Sequence, residues 1–496
     1  MNNLAGSLVE NFEKHSRHVC LIEGEWKLNY KELYEKVTAF RQVILDNGIT
    51  RGSKVLVLVP MSIELYVTLI SLWTVGAIPC FMDEGFIKKG MKNNDFDDIQ
   101  AIVGVKKYLL YSYVNKNLKK VKTKINVAQI KSLHSNEKLD IDEVKEDYPA
   151  IITYTSGSTG KPKIAERSHE FLKTQGNILE KYLNYEETDV ELSSVPIFTL
   201  SNLDEGITTV IANANFTDLA KSSPVSLINQ LENVNRIMAA PGLLEVIVNE
   251  CKRRNKKFNR IKKVFTGGGA VFIDLIRKLK EIFPNATIVT LYGSTEAEPI
   301  AEQDVTDLDD IDIDHIRNGR GILAGKIIGV EECALIDPSL VNIGKLTTEE
   351  FEKIKTTGIG EIVVRGKNVL EGYVGGIGDK ENKISVDGKI YHRTGDLGYI
   401  DNRGRLWLQG RKKSPFFNVE AALHTRTELG KTAIVKVNDK IYLVLEEKDR
   451  ISPAILHQIE FVKIESIIYV KNIPMDKRHS SKVDYNALYK MISKKV

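Results

Sequence analysis

Residues 150–163 read AIITYTSGSTGKPK. Ala150 to Tyr154 is a short apolar run of strand type, and the residues after it are glycine, hydroxyl side chains and lysine. Such a stretch leaves the carboxyl end of a strand, the edge at which open α/β sheets bind ligands. Gly157 and Gly160 let backbone N–H groups converge, and Thr155, Ser156, Ser158 and Thr159 add hydroxyl donors. Lys161 and Lys163 add positive charge. Together these meet the requirements of a phosphate cradle. A plain Gly/Ser surface turn shares the composition. A Walker A loop does not, because it needs GxxxxGK[ST] running straight into a helix. Here Pro162 follows Lys161 and the glycines stand too close together.

Working outward, the same alternation of strand and helix recurs. Asn29 and Glu32 make a capping box for a helix whose apolar face is Leu33, Val37, Phe40 and Ile44, with Gly48 as its stop. VLVLVP (55–60) is a buried-strand run, Ile63 to Thr74 a helix, AIPCFM (77–82) and Ala101 to Val105 further strands. In the middle of the chain Val264 and Phe265 lead into TGGGA (266–270). An amphipathic helix with Leu275, Ile276, Leu279 and Ile282 follows, then a strand from Thr287 to Tyr292. From about residue 325 to 410 the texture becomes short strands and turns, and a compact mixed segment follows to Val496. The expected fold is α/β. A large N-terminal domain (1–410) has mixed, mostly parallel sheets flanked by helices and a β-rich subdomain (about 325–410). A small α+β C-terminal domain spans 411–496, with a hinge near its start. The acidic run DVTDLDDIDID (304–314) reads as a solvated loop. His169, after Ser168, reads as the start of a helix rather than a catalytic group, since serine is a good N-cap.

Composition bounds the function. The chain has 496 residues, enough for more than one core, and a formal charge of only +4. That balance gives no case for nucleic acid as a partner. The scattered cysteines Cys20, Cys80, Cys251 and Cys333 make neither a zinc ribbon nor a disulfide framework and suit reduced thiols in a cytoplasm. The N-terminus lacks the pattern of a signal peptide. Residues 65–82 carry no charge, which raises a transmembrane helix as an alternative. Gly76 and Pro79 favour a buried helix turning into a buried strand, so no membrane span is expected.

The stretch YTSGSTGKPK resembles the phosphate loop of the acyl-adenylate-forming superfamily of acyl-CoA synthetases, peptide-synthetase adenylation domains and luciferases. Further motifs follow in that family's order: GGGA (267–270), LYGSTE (291–296), GEIVVRGKNVLEGY (360–373), RTGD (393–396), Arg411 and Lys482 in HSSKVD. The resemblance implies ATP and Mg²⁺ as cofactors and a small carboxylic acid as substrate, with CoA or an acyl carrier protein as a candidate acceptor. Ser156, Gly157, Ser158, Thr159, Gly160 and Lys163 would then hold phosphates. Gly268, Gly269 and Ala270 would line the adenine, with Tyr292 stacked on it beside Gly293. Ser294 and Thr295 would meet phosphate, and Glu296 would hold the metal. Asp396 and Arg411 would take the ribose, and Lys413 would be the hinge. Lys482 would be the mobile catalytic lysine, with Glu296 and Thr155 completing the catalytic set. Phe198, Thr199, Leu200 and Gly267 would line an acyl pocket suited to an aliphatic acid.

The chemistry fits those residue types. Adenylation joins two anions, so catalysis is positioning plus neutralisation of growing charge. A carboxylate suits Mg²⁺, a hard cation that prefers oxygen. Ile164 replaces the usual glycine after PK, a departure in the path of the phosphate loop. Two departures bear on the second step: KKSPFFNVEAALH (412–424) lacks the glycine-containing strand common in CoA ligases, and the C-terminal domain is short. SVPIFTLSNLDEGITTVI (194–211) and IPMDKRHSSKVDYNAL (473–488) are similar to the olefin-pathway β-lactone synthetases and related fatty-acyl-CoA ligase-like proteins. The resemblance leaves β-lactone closure, thioester formation and transfer to an amine open, in that order. A catalytically silent nucleotide-binding protein is the alternative of a different class.

Overall fold

The computed structural model describes residues 2–82, 98–155, 163–216, 218–412, 414, 416–426, 429–447, 451, 454, 459, 461–475 and 483–496. The chain forms two compact units, residues 1–213 with 372–379, and residues 214–371 with 380–496. Both are built as α/β layers.

In the first unit the strands are β1 (Val19–Glu23), β2 (Trp26–Asn29), β3 (Lys54–Leu58), β4 (Ile78–Met82), β5 (Ile99–Gly104), β6 (Thr123–Asn126), β7 (Pro149–Thr155), β8 (Lys163–Ser168), β9 (Val190–Ser193) and β10 (Thr208–Ile211). One sheet has the order β6-β5-β3-β4-β7-β8, parallel up to β7 and antiparallel at β8. In a second layer β9, β10 and β1 run parallel and β2 closes as a hairpin on β1. Helix Tyr30–Asp46 starts as its sequence requires. The Asn29 side chain accepts from Glu32 N at 2.8 Å, and the Glu32 carboxylate accepts from Asn29 N at 2.8 Å. Leu33, Val37, Phe40 and Ile44 are fully buried on its inner face. Each such burial contributes roughly 1.5–3 kcal/mol before chain entropy is set against it.

The uncharged stretch 65–82 resolves into two elements. Helix Ile63–Thr74 is buried along its length and stops at Gly76, whose φ of +63° closes the end. Ala77 N donates to Leu72 O at 2.9 Å and Gly76 N to Trp73 O at 3.0 Å, a double bond pattern that needs a left-handed residue. The chain then enters β4. Among the described residues no helix is long and apolar enough to cross a membrane. His169 opens helix His169–Leu183, capped by Ser168, whose hydroxyl accepts from Phe171 N at 3.1 Å. Burial pushes the His169 imidazole down to about 4, and its Nδ1 accepts from Leu4 N.

The second unit holds β11 (Arg236–Met238), β12 (Lys263–Gly267), β13 (Thr287–Ser294), β14 (Ala297–Asp304), β15 (Ile322–Ile327), β16 (Glu332–Ile336), β17 (Lys345–Leu346), β18 (Gly360–Arg365), β19 (Lys383–Val386), β20 (Lys389–Ile400) and β21 (Arg405–Arg411). β11, β12 and β13 are parallel. From β13 onward the path β14-β15-β21-β20-β18-β16 is antiparallel, the β-rich part expected from the short strands and turns of the sequence. After β21 come helix Phe417–Arg426, a sheet of β22 (Thr432–Val437), β23 (Lys440–Glu446) and β24 (Ile464–Val470), and helix Tyr485–Ile492.

The acidic run 304–314 is not the solvated loop its charge suggests. Asp309 caps helix Asp310–Arg317 by accepting from Asp312 N at 2.7 Å. Asp312 itself is buried and takes both Arg405 guanidinium nitrogens, at 2.9 and 2.7 Å. Acidic residues in a first helical turn complement the helix dipole, and the bidentate arginine offsets the cost of burying the charge. Charge density alone does not reveal a partner ninety residues away.

Candidate active site

The site is built on the parallel core of the second unit. β12 ends at Gly267, which pairs in register with Leu291 of β13. A Cβ at Gly267 would lie 2.4 Å from the Leu291 carbonyl oxygen, so only glycine allows the two strands this approach. Gly268 follows with φ of +75°, where a side chain would be strained. These two positions turn the chain over the carboxyl edge of the sheet and into helix Ile273–Ile282.

β13 brings Tyr292 to the same edge. Its phenol donates to Asp396 Oδ2 at 2.9 Å. Burial, then the adjacent carboxylate charge, pushes the Tyr292 phenol well above its usual range, so it stays a donor. Asp396 lies on β20 in register with Arg411 of β21, and the Arg411 Nε stands 2.9 Å from Asp396 Oδ1. Asp396 is thus a nearly buried carboxylate with its two oxygens turned to different partners. A carboxylate accepts two hydroxyl donors in the same way, which is what a ribose diol offers.

These groups face a cavity of about 370 Å³. Of the expected site, Gly268, Gly269 and Ala270 line one side of it. Tyr292, Gly293, Asp396 and Arg411 line another. Its volume is that of a small-molecule pocket, and aliphatic residues such as Val271, Leu323 and Leu408 complete its walls. Gly267, Ser294, Thr295 and Glu296 do not line it. They sit at the end of β12 and on the turn from β13 to β14. The Ser294 hydroxyl is buried without a hydrogen-bond partner, and Glu296 is half-buried with its carbonyl accepting from Leu370 N at 2.7 Å.

The rest of the expected site belongs to the first unit or lies outside the described residues. β7 runs to Thr155, whose register partner is Lys163, the first residue of β8. Ser156, Gly157, Ser158, Thr159 and Gly160 lie outside the described residues, as do Lys413 and Lys482. Lys163 Nζ stands 5.1 Å above the Tyr373 ring, a cation–π contact. Phe198, Thr199 and Leu200 are on helix Pro196–Asp204, with Thr199 fully buried. Among the described residues no group of three or more His, Cys, Asp and Glu could hold a metal ion.

The cavity has polar wall residues that the sequence did not announce. Asp274, Glu420, His424, Thr432 and Tyr485 all line it. Glu420 Oε1 accepts from Ile434 N at 3.1 Å and from the Tyr485 hydroxyl at 3.2 Å. Those two donors favour the ionised carboxylate, but burial outweighs them and pushes Glu420 up to about 8. Asp274 and His424 stand within ion-pair distance although they are far apart in sequence. No local pattern marks either residue; only the packing of their helices brings them together.

Comparison with known proteins gives four results. The pattern of the AMP-binding enzyme family matches residues 8–374. An olefin beta-lactone synthetase of Stenotrophomonas maltophilia (strain K279a) is 25% identical over 441 residues, covering 83% of this chain and 78% of that protein. A 4-coumarate-CoA ligase of Narcissus pseudonarcissus is 24% identical, covering 94% of this chain and 89% of its own. Among solved structures, ATP-bound MatB from Rhodopseudomonas palustris superposes with a TM-score of 0.79 at 19% identity, covering 99% of both chains. That last likeness is one of fold.

Proposed function

The chain belongs to the AMP-binding enzyme family and is an AMP-forming ligase that makes acyl-adenylates, and from that premise we propose that it activates an aliphatic β-hydroxy acid with ATP and closes it to a β-lactone. The observation that carries the nucleotide part is Asp396, held between the Tyr292 phenol and Arg411 on the wall of the cavity. Its carboxylate takes the ribose hydroxyls, and the adenine stacks on Tyr292 against Gly268 to Ala270. Thr155, residues 156–160 and Lys163 would hold the phosphates, and Ser294 and Thr295 would also contact phosphate.

In the first step a carboxylate oxygen of the acid attacks the α-phosphorus and pyrophosphate leaves. Lys482 places an ammonium between the two anions. A magnesium ion would be held by Glu296, since a hard cation is suited to carboxylate and phosphate oxygens. The ion supplies neutralisation of phosphate charge. In the second step the β-hydroxyl oxygen attacks the acyl carbon, AMP leaves, and the hydroxyl proton passes to solvent. Residues 411–496 act as a small mobile domain hinged at Lys413. Phe198, Thr199, Leu200 and Gly267 shape the acyl pocket.

Two features support an internal acceptor. The sequence after β21, KKSPFFNVEAALH (412–424), has no glycine of the kind common there in CoA ligases, and a β-lactone synthetase is among the relatives. A second reading, a thioester made with CoA or an acyl carrier thiol, rests on the likeness to 4-coumarate-CoA ligases. The experiment is a panel of acids incubated with ATP, followed by pyrophosphate release and mass spectrometry of the product. A β-hydroxy acid converted to its dehydrated cyclic ester without thiol is the expected result. Strict dependence of turnover on CoA would replace the lactone by the thioester, and no pyrophosphate exchange with any acid would overturn both.

A further inference from the structure

Helix Ile273–Ile282 follows directly from the glycine stretch that lines the cavity, and helix Phe417–Arg426 begins the segment that leads to Lys482. The two helices are joined by a buried polar contact. His424 Nδ1 stands 2.7 Å from Asp274 Oδ2, and both side chains are almost wholly buried, at 3% and 2% exposure. The imidazole lies flat on Phe272, with ring centres 4.3 Å apart and planes 6° from parallel. Its other nitrogen, Nε2, faces the Thr432 hydroxyl at 3.1 Å. Lys278 and Glu245 form the neighbouring charge pair at 3.5 Å, and Arg277 donates to the Thr425 carbonyl at 3.3 Å.

On its far side, helix Phe417–Arg426 is tied to β22 and to the last helix of the chain. Glu420 binds the backbone of β22 at Ile434 and the hydroxyl of Tyr485. Met475 and Val483 pair as an isolated bridge, and both line the cavity. Val483 is the residue after Lys482. Phe272, Asp274, His424, Glu420, Tyr485 and Val483, the neighbour of the lysine, all line the same cavity as Gly268 to Ala270.

We propose that Asp274 and His424 are positioning residues for adenylation: their pairing seats helix Phe417–Arg426, the first helix of the segment that carries Lys482, against helix Ile273–Ile282 at the nucleotide cavity. The proposal rests on the adenylation reading, with Lys482 as the mobile lysine. A buried polar pair suits this role better than an apolar contact, because it forms only in one register, and losing one partner leaves the other polar group buried and unmet. Spatial continuity alone does not establish coupling, so the decisive test is a mutant cycle.

Asp274→Asn keeps volume and removes charge, and His424→Phe keeps the stack on Phe272 and removes both ring nitrogens. For each, the kcat of ATP–pyrophosphate exchange, the ATP affinity by calorimetry and the thermal midpoint are measured. A fourth measurement is hydrogen exchange of residues 417–426 with and without ATP. The expected result is a fall in exchange kcat of about tenfold or more, with ATP affinity within about twofold of the parent and the double variant no worse than the poorer single one. In the parent, ATP slows amide exchange in residues 417–426; in either variant this protection is lost. Unchanged kcat, additive losses, or a parallel fall in ATP affinity and thermal midpoint would overturn the proposal in favour of a purely structural contact. If His424→Phe does not fold, Asp274→Asn carries the same test. Should the parent exchange with no acid, the adenylation reading fails, while the presence or absence of ATP-dependent protection still decides whether the pair seats this segment.

Discussion

Glu420→Gln is the substitution whose effect can be worked from the structure most fully. The Glu420 side chain is buried against Ile434 and Tyr485 and ionises at about 8 instead of its ordinary 4.5. A carboxyl group whose folded value is raised binds a proton in the folded state that the unfolded chain has already released. Stability is then fully present below about 4.5, falls as pH rises, and levels off above about 8. Within that window the slope is on the order of −1 kcal/mol per pH unit, so the parent loses roughly 2–3 kcal/mol between pH 5.5 and 7.5 through this one group. Glutamine has the same shape, accepts from the same two donors through its carbonyl, and does not titrate. The variant therefore loses this component, and the parent-minus-variant difference in stability changes by roughly 2–3 kcal/mol over the two pH units. The assay is urea unfolding across that range, paired with hydrogen exchange at the Ile434 amide, which donates to this carboxyl. Parallel pH profiles in the two proteins would refute the reasoning, since they would mean that Glu420 ionises alike in folded and unfolded chains.

Three further outcomes can be measured. Tyr292→Phe removes the phenol that donates to Asp396 and should weaken AMP binding about fivefold, or ~1 kcal/mol, by calorimetry; an unchanged affinity would detach Tyr292 from the ribose site. Lys482→Ala should lower pyrophosphate exchange on the order of 100-fold or more while ATP affinity stays near that of the parent, and normal exchange would remove the lysine from the mechanism. Glu296→Ala should move the Mg²⁺ activation curve to higher concentration, and a superimposable titration would show that the metal is held elsewhere.

Local chemistry determined a large part of this protein without help from its tertiary structure. The capping box at Asn29 and Glu32 and the stop at Gly76 are each enforced by hydrogen bonds within a few residues, and the strand before Thr155 and the glycines at 267–268 are legible from residue type, although Leu291 on the next strand is what requires Gly267. The family motifs that placed Tyr292, Asp396 and Arg411 together are legible for the same reason, since each needs its own residue type at its own turn or strand end. What only the tertiary structure decided are contacts whose partners lie far apart in the chain. Asp312 reads as a solvated acid until Arg405 takes it, and Asp274 and His424 read as ordinary helical residues until packing buries them 2.7 Å apart. Glu420 likewise acquires its shifted ionisation from burial against residues on later elements of the chain. Desolvation and charge pairing depend on three-dimensional surroundings, and no pattern along the chain encodes them.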